Sequence, residues 1–595
     1  MKKFYKLTFL LAALMISGSL IAQDTLDVAP GATTLNAAIT ANGGDKVYRL
    51  EAAGWYGLDA IIENVDYHLQ IVGEDYDDST LPATIQTGMT GEGVPFEHMF
   101  AAKGNLTLKN VYVMNADING QIPNRCIVQS DSGSFVEIDN CVLDPMGQTG
   151  LVQMTGGDND LWFTNNIAAR HGHMIGANDG HAFIINDANA SVGADSVLLE
   201  NNTFISTGMN LLSGNFAAHV TNFLMINHNT FIHHKSQIDW SILENEYYLT
   251  NNLFFDFMSS AYAYNWQPMP GGDASMPKPM LIYADTIGNP LETLPTDRSQ
   301  YVQYNNMYWS QGLFDLMAEM NDTAAATGAA KMNLHPLIWD GTTDPKMGAD
   351  PAEAFAASRE GHLFNHANNV NTDFPNWKFG NTTYGTDPLW NESMIYDLSD
   401  SLVKWQRPAS FIHAQGQSAD RWPDPNTWAK WHWDPDGDVA INDTWPLIDA
   451  TYTDAATLTG SVARLPLGDL NWYPAKKAAW VMHKDEIFAH MKAGNTDKWG
   501  SIGVGPAMEA GDFSKIYPNP MVSTATVEFT LTSSADVEIA LYNAIGQQVK
   551  SVLSEVRATG THSVTFDRGD LNNGLYFCRI KAGNQTETQK LMILE

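Results

Sequence analysis

The chain has 595 residues, a net charge of −34 and three cysteines. Three thiols cannot build a disulfide framework, and no Cys-x-x-Cys spacing of the kind that binds zinc is present. Almost all of the negative charge lies in residues 23–514. This excludes nucleic acid and anionic membrane surfaces as partners, and it disfavours polyanionic sugars unless calcium bridges the charges or a local basic patch attracts them.

The first 22 residues have the three segments of a secretory signal peptide in the usual order. Lys2, Lys3 and Lys6 precede an apolar run over 9–20, and small residues at 19–22 come before Gln23. Because a membrane span needs ~20 apolar residues, 1–22 is predicted to be a cleaved signal rather than a buried helix. No later stretch is long and apolar enough to span a bilayer. We therefore expect a mature chain outside the cytoplasm.

A short pattern then recurs along the body: apolar, any, Asn, any, any, bulky apolar. Its copies follow at steps of 23–36 residues, with one step of 54 before the last. Each copy alternates β-branched or aromatic residues with polar ones, which indicates one strand and a turn. Such a period is typical of a solenoid, and the Asn positions are expected to stack at one corner. The Asn slots of the copies are Asn110, Asn140, Asn165, Asn201, His228, Asn251 and Asn305.

Together with opening segments at 47–50 and 68–74, these copies resemble the pectin-lyase-like superfamily of right-handed parallel β-helices over about 45–310. The resemblance implies an all-β body at 23–310 in which each coil has three strands. The superfamily includes polysaccharide lyases, glycoside hydrolases, carbohydrate esterases and noncatalytic surface proteins. The fold therefore does not choose a function.

Residues 311–505 read as a Trp- and Pro-rich continuation and closing segment of the body. The segment 466–474 looks like a closing element of other exported β-helix proteins. An amphipathic helix is predicted at 475–494, with an apolar face that packs on the end or flank of the solenoid. The tryptophans of this region fit either a sugar-stacking surface or a buried core. They are Trp405, Trp422, Trp428, Trp431, Trp433 and Trp445.

After a linker at 506–515, residues 516–595 resemble the type A sorting domain of the type IX secretion system. The resemblance rests on Ile-Tyr-Pro-Asn-Pro at 516–520, on the segments 541–547 and 571–577, and on the ending at 589–594. Alternating apolar residues at 527–531 and 537–541 predict a small Ig-like β-sandwich. The resemblance implies handling by the type IX machinery, cleavage of this domain, and release or anchoring at the cell surface.

The sequence patterns of galacturonases, pectinesterases and many pectate lyases are not present as sets. The repeat register nevertheless gives a polar column, five residues beyond each Asn slot. Because neighbouring coils lie ~4.8 Å apart, four useful side chains of this column fall within ~15 Å. They are Arg170, Ser206, His233 and Asp256, followed in the last copy by Ser310. One position further come His171, Thr207 and His234, with Lys235 beside them.

A lyase needs a cation against the substrate carboxylate and a base for the C5 proton. Arg170 could be the cation, and His233 or Lys235 the base. A hydrolase needs two carboxylates, for which Asp256 and Asp239 are the candidates. We assign His171, Ser206 and His234 to binding. The alternative interpretation of the column is a solvated turn between strands.

Three acidic residues around Gly437 suggest a calcium loop, but the glycine is misplaced for an EF-hand and no Glu follows at the required distance. Because of this mismatch an acidic surface turn explains them better, and no metal ligands are assigned. Two hypotheses follow. The chain is a secreted or surface-attached β-helix protein that binds or cleaves polysaccharide, or it is a noncatalytic surface or adhesion scaffold. An open groove around the polar column would favour an enzyme.

Overall fold

The computed structural model divides the chain into two units, residues 1–499 and 500–595. The residues that the structure describes are 24–44, 46–77, 79–119, 121–144, 150–171, 182–185, 193–207, 211–213, 220–234, 238–240, 244–256, 299–313, 377–396, 448–499, 514–517, 519, 521–531, 535–543, 548–558, 560–569, 571, 573–582 and 585–593. The predicted signal peptide, most of the linker and the six tryptophans at 405–445 lie outside them.

The strands of the first unit are short, as alternating segments bounded by turn residues predict. In the first half they are β1 Asp24–Val28, β2 Lys46–Leu50, β3 Trp55–Gly57, β4 Ile62–Val65, β5 Leu69–Gly73, β6 Ala83–Gln86, β7 Phe100–Lys103, β8 Leu106–Lys109, β9 Val111–Met114, β10 Arg125–Gln129, β11 Phe135–Asp139, β12 Val142–Leu143, β13 Gly150–Met154 and β14 Asp160–Thr164. In the second half they are β15 Ile167–His171, β16 Phe183–Ile184, β17 Ser196–Glu200, β18 Thr203–Thr207, β19 Leu212–Ser213, β20 Thr221–Asn227, β21 Thr230–Ile232, β22 Asp239–Trp240, β23 Glu244–Thr250, β24 Leu253–Phe255, β25 Ser299–Gln303, β26 Asn306–Tyr308, β27 Trp377–Gly380 and β28 Thr383–Tyr384.

These strands form three sheets in which every neighbour pairs in parallel. Sheet A has the order β1-β2-β5-β8-β11-β14-β17-β20-β23-β25-β27, sheet B β3-β6-β9-β12-β15-β18-β21-β24-β26-β28, and sheet C β4-β7-β10-β13-β16-β19-β22. From β4 to β24 the chain visits sheets C, A and B in turn, one coil after another. The parallel β-helix is therefore confirmed, and β27 and β28 extend it beyond the expected end at residue 310.

The interior is a stack of apolar side chains, because alternate residues of every strand point inward. Phe163, Phe204, Phe231 and Phe254 lie on four successive coils, with ring centroids 5.8, 5.1 and 5.0 Å apart. Phe204, Phe231 and Phe254 lie on neighbouring strands of sheet B, whose separation sets their spacing. Cys126 and Cys141 are buried free thiols of this core rather than a disulfide.

The recurrent Asn residues occupy the corner between sheets A and B, which is one residue long between β8 and β9 and two residues long in the later coils. Their φ values lie between 53 and 62°, which is the left-handed region that Asn tolerates better than most residues. The predicted stacking at one corner is confirmed, since Asn140 Nδ2 donates to Asn110 Oδ1 at 2.9 Å. The seventh copy is shifted by one residue from the prediction, because Tyr304 rather than Asn305 has the positive φ.

A continuous amide ladder runs through the residue after each slot, where the side chain turns into the interior. It consists of the buried residues Asn166, Asn202, Asn229, Asn252 and Asn305. Each Nδ2 donates to the Oδ1 of the next residue, at 3.1, 2.9, 3.1 and 3.0 Å. The ladder thus ties five coils together inside the corner, where an amide without partners would be costly.

Helices cover parts of the solenoid. Helix α1, Thr34–Asn42, places Leu35 and Ile39 in the core near the first strands. Helix α2, Pro474–Lys492, buries its predicted face of Trp480, Ile487, Phe488 and Met491. Gly494 follows with φ 74° and its N–H donates to the Met491 carbonyl, as a helix C-terminal glycine does. Short 3₁₀ helices lie at Ser393–Ile395, Thr457–Thr459 and Leu470–Trp472.

The predicted closing element is a strip, residues 461–473, that lies along the corner between sheets A and B. Gly468 N–H donates to the Asn251 carbonyl at 2.8 Å, and Asn471 Nδ2 donates to the Asn201 carbonyl at 2.8 Å. Between them the buried Asp469 accepts from Thr203 Oγ1 at 2.9 Å. The strip therefore spans three coils on the flank of the solenoid rather than closing its end.

The second unit is a small antiparallel sandwich. Its strands are β29 Ser514–Tyr517, β30 Thr524–Leu531, β31 Ala535–Tyr542, β32 Gln548–Arg557, β33 Gly560–Asp567, β34 Gly574–Ala582 and β35 Gln585–Ile593. They form the sheets β29-β30-β33 and β32-β31-β34-β35. The core contains the alternating Val527, Phe529, Val537, Ile539 and Leu541. The Ig-like sandwich is confirmed.

Candidate functional site

The polar column of the sequence lies at a second corner, where the chain leaves sheet B. Ser206, His233 and Asp256 stand at matching positions on consecutive coils, since the preceding residues of β18, β21 and β24 pair in register. The backbone of Arg170 aligns with that of Ser206, because the residues on either side of the two are paired. Ser310 is shifted by one, since Phe255 pairs with Tyr308.

Three of the expected site residues have side chains outside the described part of the structure, namely Arg170, His171 and Lys235. The side chain of Asp239 lies outside it as well. Their proposed roles as cation, base, binding group and second carboxylate therefore stay predictions.

The described members of the column are buried. The exposed fractions of His233, His234 and Asp256 are 0%, and that of Ser206 is 2%. They therefore form neither the wall of an open groove nor a solvated turn. The φ values of Ser206, His233 and Asp256 are 51, 56 and 50°. Because Asp and His adopt this left-handed conformation more readily than most residues, the backbone itself favours a polar column.

Their hydrogen bonds attach neighbouring segments to the corner. His233 Nε2 donates to the Ile395 carbonyl at 3.0 Å. The Asp256 carboxyl oxygens accept from the Ser310 N–H at 2.6 Å and the Ser310 hydroxyl at 2.7 Å. His234 Nδ1 is hydrogen-bonded to the Thr207 hydroxyl. These contacts give the column a structural role.

Burial also sets the protonation of the pair. It lowers the pKa of His233 to about 4 and raises the pKa of Asp256 to about 7. Between these values both groups are uncharged, so the 3.7 Å separation of His233 Nδ1 and Asp256 Oδ2 joins two neutral side chains. A neutral imidazole could act as a base, but a substrate cannot reach it where it is fully buried.

A partly exposed surface lies elsewhere, on the outer side of sheet A. We call it the open face and define it by outward-pointing residues of β8, β11 and β14 and the adjoining turn before β5. They are His68, Lys109, Phe135, Glu137, Asp139, Asp160 and Trp162. This surface was not predicted from the sequence, although the alternation at 135–139 and 160–164 puts these side chains on one side of two strands.

Two stacked aromatic rings lie in the middle of the open face. Because Phe135 pairs with Asp160 and Glu137 with Trp162, the rings come from adjacent strands in register. The centroids of Phe135 and Trp162 are 5.0 Å apart at an interplanar angle of 18°. The His68 ring meets Phe135 edge-on at 5.0 Å. Both offset stacking and edge-to-face contact are favourable for aromatic rings.

A chain of hydrogen bonds borders these rings. His68 Nε2 lies 2.8 Å from Thr107 Oγ1, and the Thr107 hydroxyl donates to Glu137 Oε2 at 3.0 Å. Since the hydroxyl has one proton, His68 Nε2–H must be the donor to Thr107. Lys109 Nζ lies 2.9 Å from Glu137 Oε1 and 3.8 Å from Asp139 Oδ2. One ammonium group therefore faces two carboxylates.

A third carboxylate lies on the other side of the rings. Asp160 accepts from the Ser196 hydroxyl, which in turn accepts from Trp162 Nε1 at 3.2 Å. Burial, with a smaller contribution from Asp195, raises the pKa of Asp160 to about 6. The Trp162 ring is thus fixed by its own polar edge, and its flat side is not needed to satisfy any buried polar group.

The same side of sheet A is covered further along the solenoid. Leu198 follows Trp162 in register, and Met225, Tyr248 and Tyr301 continue the row on the next strands. These residues form a cluster with Trp480 and the rest of the apolar side of α2. We call this part the covered face. It delimits the open face on one side.

Within the part of the chain that the structure describes, no group of three or more His, Cys, Asp or Glu side chains is arranged to hold a metal ion. In the same part, no helix has the length and apolarity for a membrane span. The acidic residues around Gly437 lie outside the described residues.

Comparison with known proteins identifies the C-terminal unit. Residues 515–594 match the family model described as "Secretion system C-terminal sorting domain". The protein is therefore exported through the type IX system, for secretion or attachment to the cell surface. No curated protein matches the sequence.

Among solved structures, the chain is similar to a PL6 family alginate lyase, AlyGC, with 16% identity and a TM-score of 0.25, over 40% of this chain and 36% of the lyase. A point mutant of that enzyme matches with the same identity and coverage and a TM-score of 0.27. The match spans about a third of the lyase. It carries no argument about activity.

Proposed function

We propose that this exported β-helix protein binds polysaccharide along the open face of sheet A. The observation that supports this proposal is the stacked pair of Phe135 and Trp162, which is partly exposed and bordered by hydrogen-bonding carboxylates. A partly exposed aromatic ring on a folded surface, with polar groups at its rim, is typical of a ligand site.

A sugar ring matches this surface chemically. One side of a pyranose is covered by C–H groups, which pack on the flat side of an aromatic ring. Its hydroxyl groups point outward in the ring plane and need hydrogen-bond partners. Glu137, Asp139 and Asp160 supply acceptors around Phe135 and Trp162. A purely apolar partner would leave these carboxylates without compensation for lost water.

The repeat of the solenoid suits an extended polymer. Successive strands of sheet A are ~4.8 Å apart, a distance similar to the length of one sugar unit in an extended chain. A polysaccharide that crosses the strands of β8, β11 and β14 would therefore meet a new row of side chains with each sugar. We expect binding to strengthen with oligosaccharide length until the ligand reaches the covered face.

The test is a glycan panel probed with the full chain and with Trp162→Ala and Phe135→Ala. Each variant should weaken binding of the recognised glycan at least tenfold, or about 1.4 kcal/mol, because it removes one ring of the stack and leaves the other without the ring that positions it. Trp55→Ala is the matched control, since Trp55 is 42% exposed on β3 of sheet B. Unchanged affinity in both open-face variants would refute the proposal and favour the noncatalytic scaffold.

A second candidate is a lyase at the polar column, with Arg170 as cation and His233 or Lys235 as base, and with Asp256, His171, Ser206 and His234 around them. Its support is the His233–Asp256 pair, whose pKa values are shifted in opposite directions. It requires a rearrangement that exposes His233. Absorbance of unsaturated products tests it, with Arg170→Ala and Lys235→Ala expected to abolish the signal. Absence of products from every uronate polymer tried would reject it.

A further inference from the structure

We infer that the glycan recognised by the open face carries no anionic group, and that its sugars are neutral or amino-bearing rather than uronates or sulfated units. The inference rests on the proposed binding function and names its substrate class. It also separates the two candidate functions, because a uronate lyase would need the opposite charge at its binding surface.

The charges around the stacked rings support this assignment. Glu137 and Asp139 lie on the strand of Phe135, and Asp160 lies on the strand of Trp162. All three point to the same side of sheet A, because they alternate with the buried Val136, Ile138 and Leu161. A ligand stacked on Phe135 and Trp162 therefore has carboxylates on both sides of it.

The neighbouring cations do not offset this excess for a ligand. Lys109 Nζ already contacts Glu137 at 2.9 Å and Asp139 at 3.8 Å, so its charge is balanced within the protein. Burial lowers the pKa of Lys477 of α2, whereas Asp469 and Asp139 act in the opposite direction, and its Nζ donates to Asn471 Oδ1. Arg49 is paired with Asp27. A sugar carboxylate would have to displace one of these contacts before gaining a cation.

The remaining acceptors fit hydroxyl or ammonium groups. Ionised carboxylates only accept hydrogen bonds, and charge-assisted bonds from O–H or N–H donors are stronger than neutral ones. Sugar hydroxyls and amino groups are such donors, whereas a uronate carboxylate is a further acceptor. The net charge of −34 adds a long-range field that repels polyanions before contact.

The experiment compares oligosaccharides of equal length with the full chain, using neutral gluco- and manno-oligosaccharides, chitosan oligomers, and alginate and polygalacturonate oligomers. The neutral or amino series should bind at least tenfold more tightly than either uronate series at low ionic strength. The difference should narrow as salt is added, because surface charges are screened within ~10 Å at 0.1 M. Chitosan binding that is tighter than neutral binding at low salt and weakens as salt is added identifies the amino class, and an affinity for neutral glycans that does not change with salt identifies the neutral class.

The charge-neutralising variant Glu137→Gln with Asp139→Asn should weaken chitosan binding several-fold and raise uronate binding. Its matched control is Asp59→Asn with Glu63→Gln, which removes the same charge from β4 of sheet C and the turn before it. Uronate oligomers that bind the unmodified protein as tightly as neutral ones would overturn the inference and leave glycan binding intact. If no glycan of any charge binds, the proposed function and the inference both fail.

Discussion

The outer side of sheet A has two parts built on the same register, one open and one covered. In the open face, Phe135 and Trp162 stack on each other and remain partly exposed. In the covered face, Met225, Tyr248 and Tyr301 are buried beneath α2. The strands do not differ in geometry, so what differs is the partner. One part of the sheet packs on a segment of its own chain, and the other is left for a ligand.

The acidic side chains of the two parts show the same difference. Glu200 and Glu246 in the covered face are paired with Lys484 and Lys492 of α2. In the open face, Glu137 and Asp139 share Lys109, and Asp139 also accepts from Thr164 Oγ1 and Asn165 Nδ2. Asp160 accepts from the Ser196 hydroxyl. The lysines of α2 thus neutralise the acidic side chains that the helix covers.

Removal of one tryptophan ring from each face should show that the covered face contributes to stability and the open face does not. Trp480 is fully buried under α2, so Trp480→Ala should lower the free energy of unfolding by about 4 kcal/mol. Trp162→Ala should lower the free energy of unfolding by about 1 kcal/mol or less, because the ring is already partly exposed. Denaturant unfolding monitored by far-ultraviolet circular dichroism measures both. Equal losses would mean that the open face is structural.

The acidic side chains of the two faces should also differ in their contribution to the free energy of unfolding. Glu200 has a side-chain exposure of 5% and Lys484 of 23%. Glu200→Ala should therefore cost about 3 kcal/mol, because Lys484 is left without its partner in a poorly solvated position. Glu137→Ala in the open face should cost less than about 1 kcal/mol, since Lys109 is more exposed and keeps Asp139. A double-mutant cycle on each Glu–Lys pair supplies the coupling energies. A larger coupling in the open face would contradict the comparison.

The third contrast is in pH dependence. His228 lies beneath Trp480, and burial lowers its pKa to about 4 from 6.5. The unfolded chain therefore takes up a proton between pH 6.5 and 4 that the folded chain does not, so stability falls as pH falls through this window, by up to about 3 kcal/mol. His228→Asn should remove this slope, because Asn occupies the same corner in other coils. The readout is the unfolding free energy from pH 7 to 4.

The control for this measurement is His68→Asn on the open face, where a less complete burial lowers the pKa of His68 and the slope should be smaller. Burial raises the pKa of Asp256 and Asp469 to about 7, so their contribution to the unfolding free energy is present at low pH and is lost as pH rises. The unmodified protein and both His variants share this contribution, so it cancels when their unfolding free energies are subtracted. A His228→Asn profile that parallels the unmodified protein would refute the assignment.

The fold could be predicted from the sequence because the recurrent Asn residues mark a position where the backbone conformation requires them. Asn recurs where one residue must adopt a left-handed conformation between two strands, and that requirement is visible at Asn110, Asn140 and Asn251 without any structure. The shift at Tyr304 was not visible, because the following Asn305 imitates the slot while belonging to the inner ladder.

The same conformation explains why the polar column misled the site prediction. His233 and Asp256 have φ values of 56 and 50°, so their residue types are favoured by the corner before any chemistry is considered. Their alignment on consecutive coils was predicted correctly. Their burial was not, since it comes from contacts with Ile395 and Ser310 that lie far along the chain or beyond a long insertion.

The open face could not be separated from the covered face by sequence alone. Both parts show outward-pointing aromatic and acidic side chains at alternate positions. The apolar side of α2 was predicted from its spacing, but spacing does not tell which strands a helix will meet. The position of α2 on the sheet is seen in the structure, from the ion pair of Lys484 with Glu200 and from the packing of Trp480 on Met225, Tyr248 and Tyr301.

The strip at 461–473 has a mechanical consequence. In a solenoid each coil contacts only its neighbours, so tension along the axis is carried through every coil junction in series and the weakest junction opens first. The strip binds Asn201, Thr230 and Asn251 at once and carries load in parallel with the junctions between them. Under a pull on an anchored chain, the coils that carry Asn201, Thr230 and Asn251 should therefore open after coils that are held by their junctions alone.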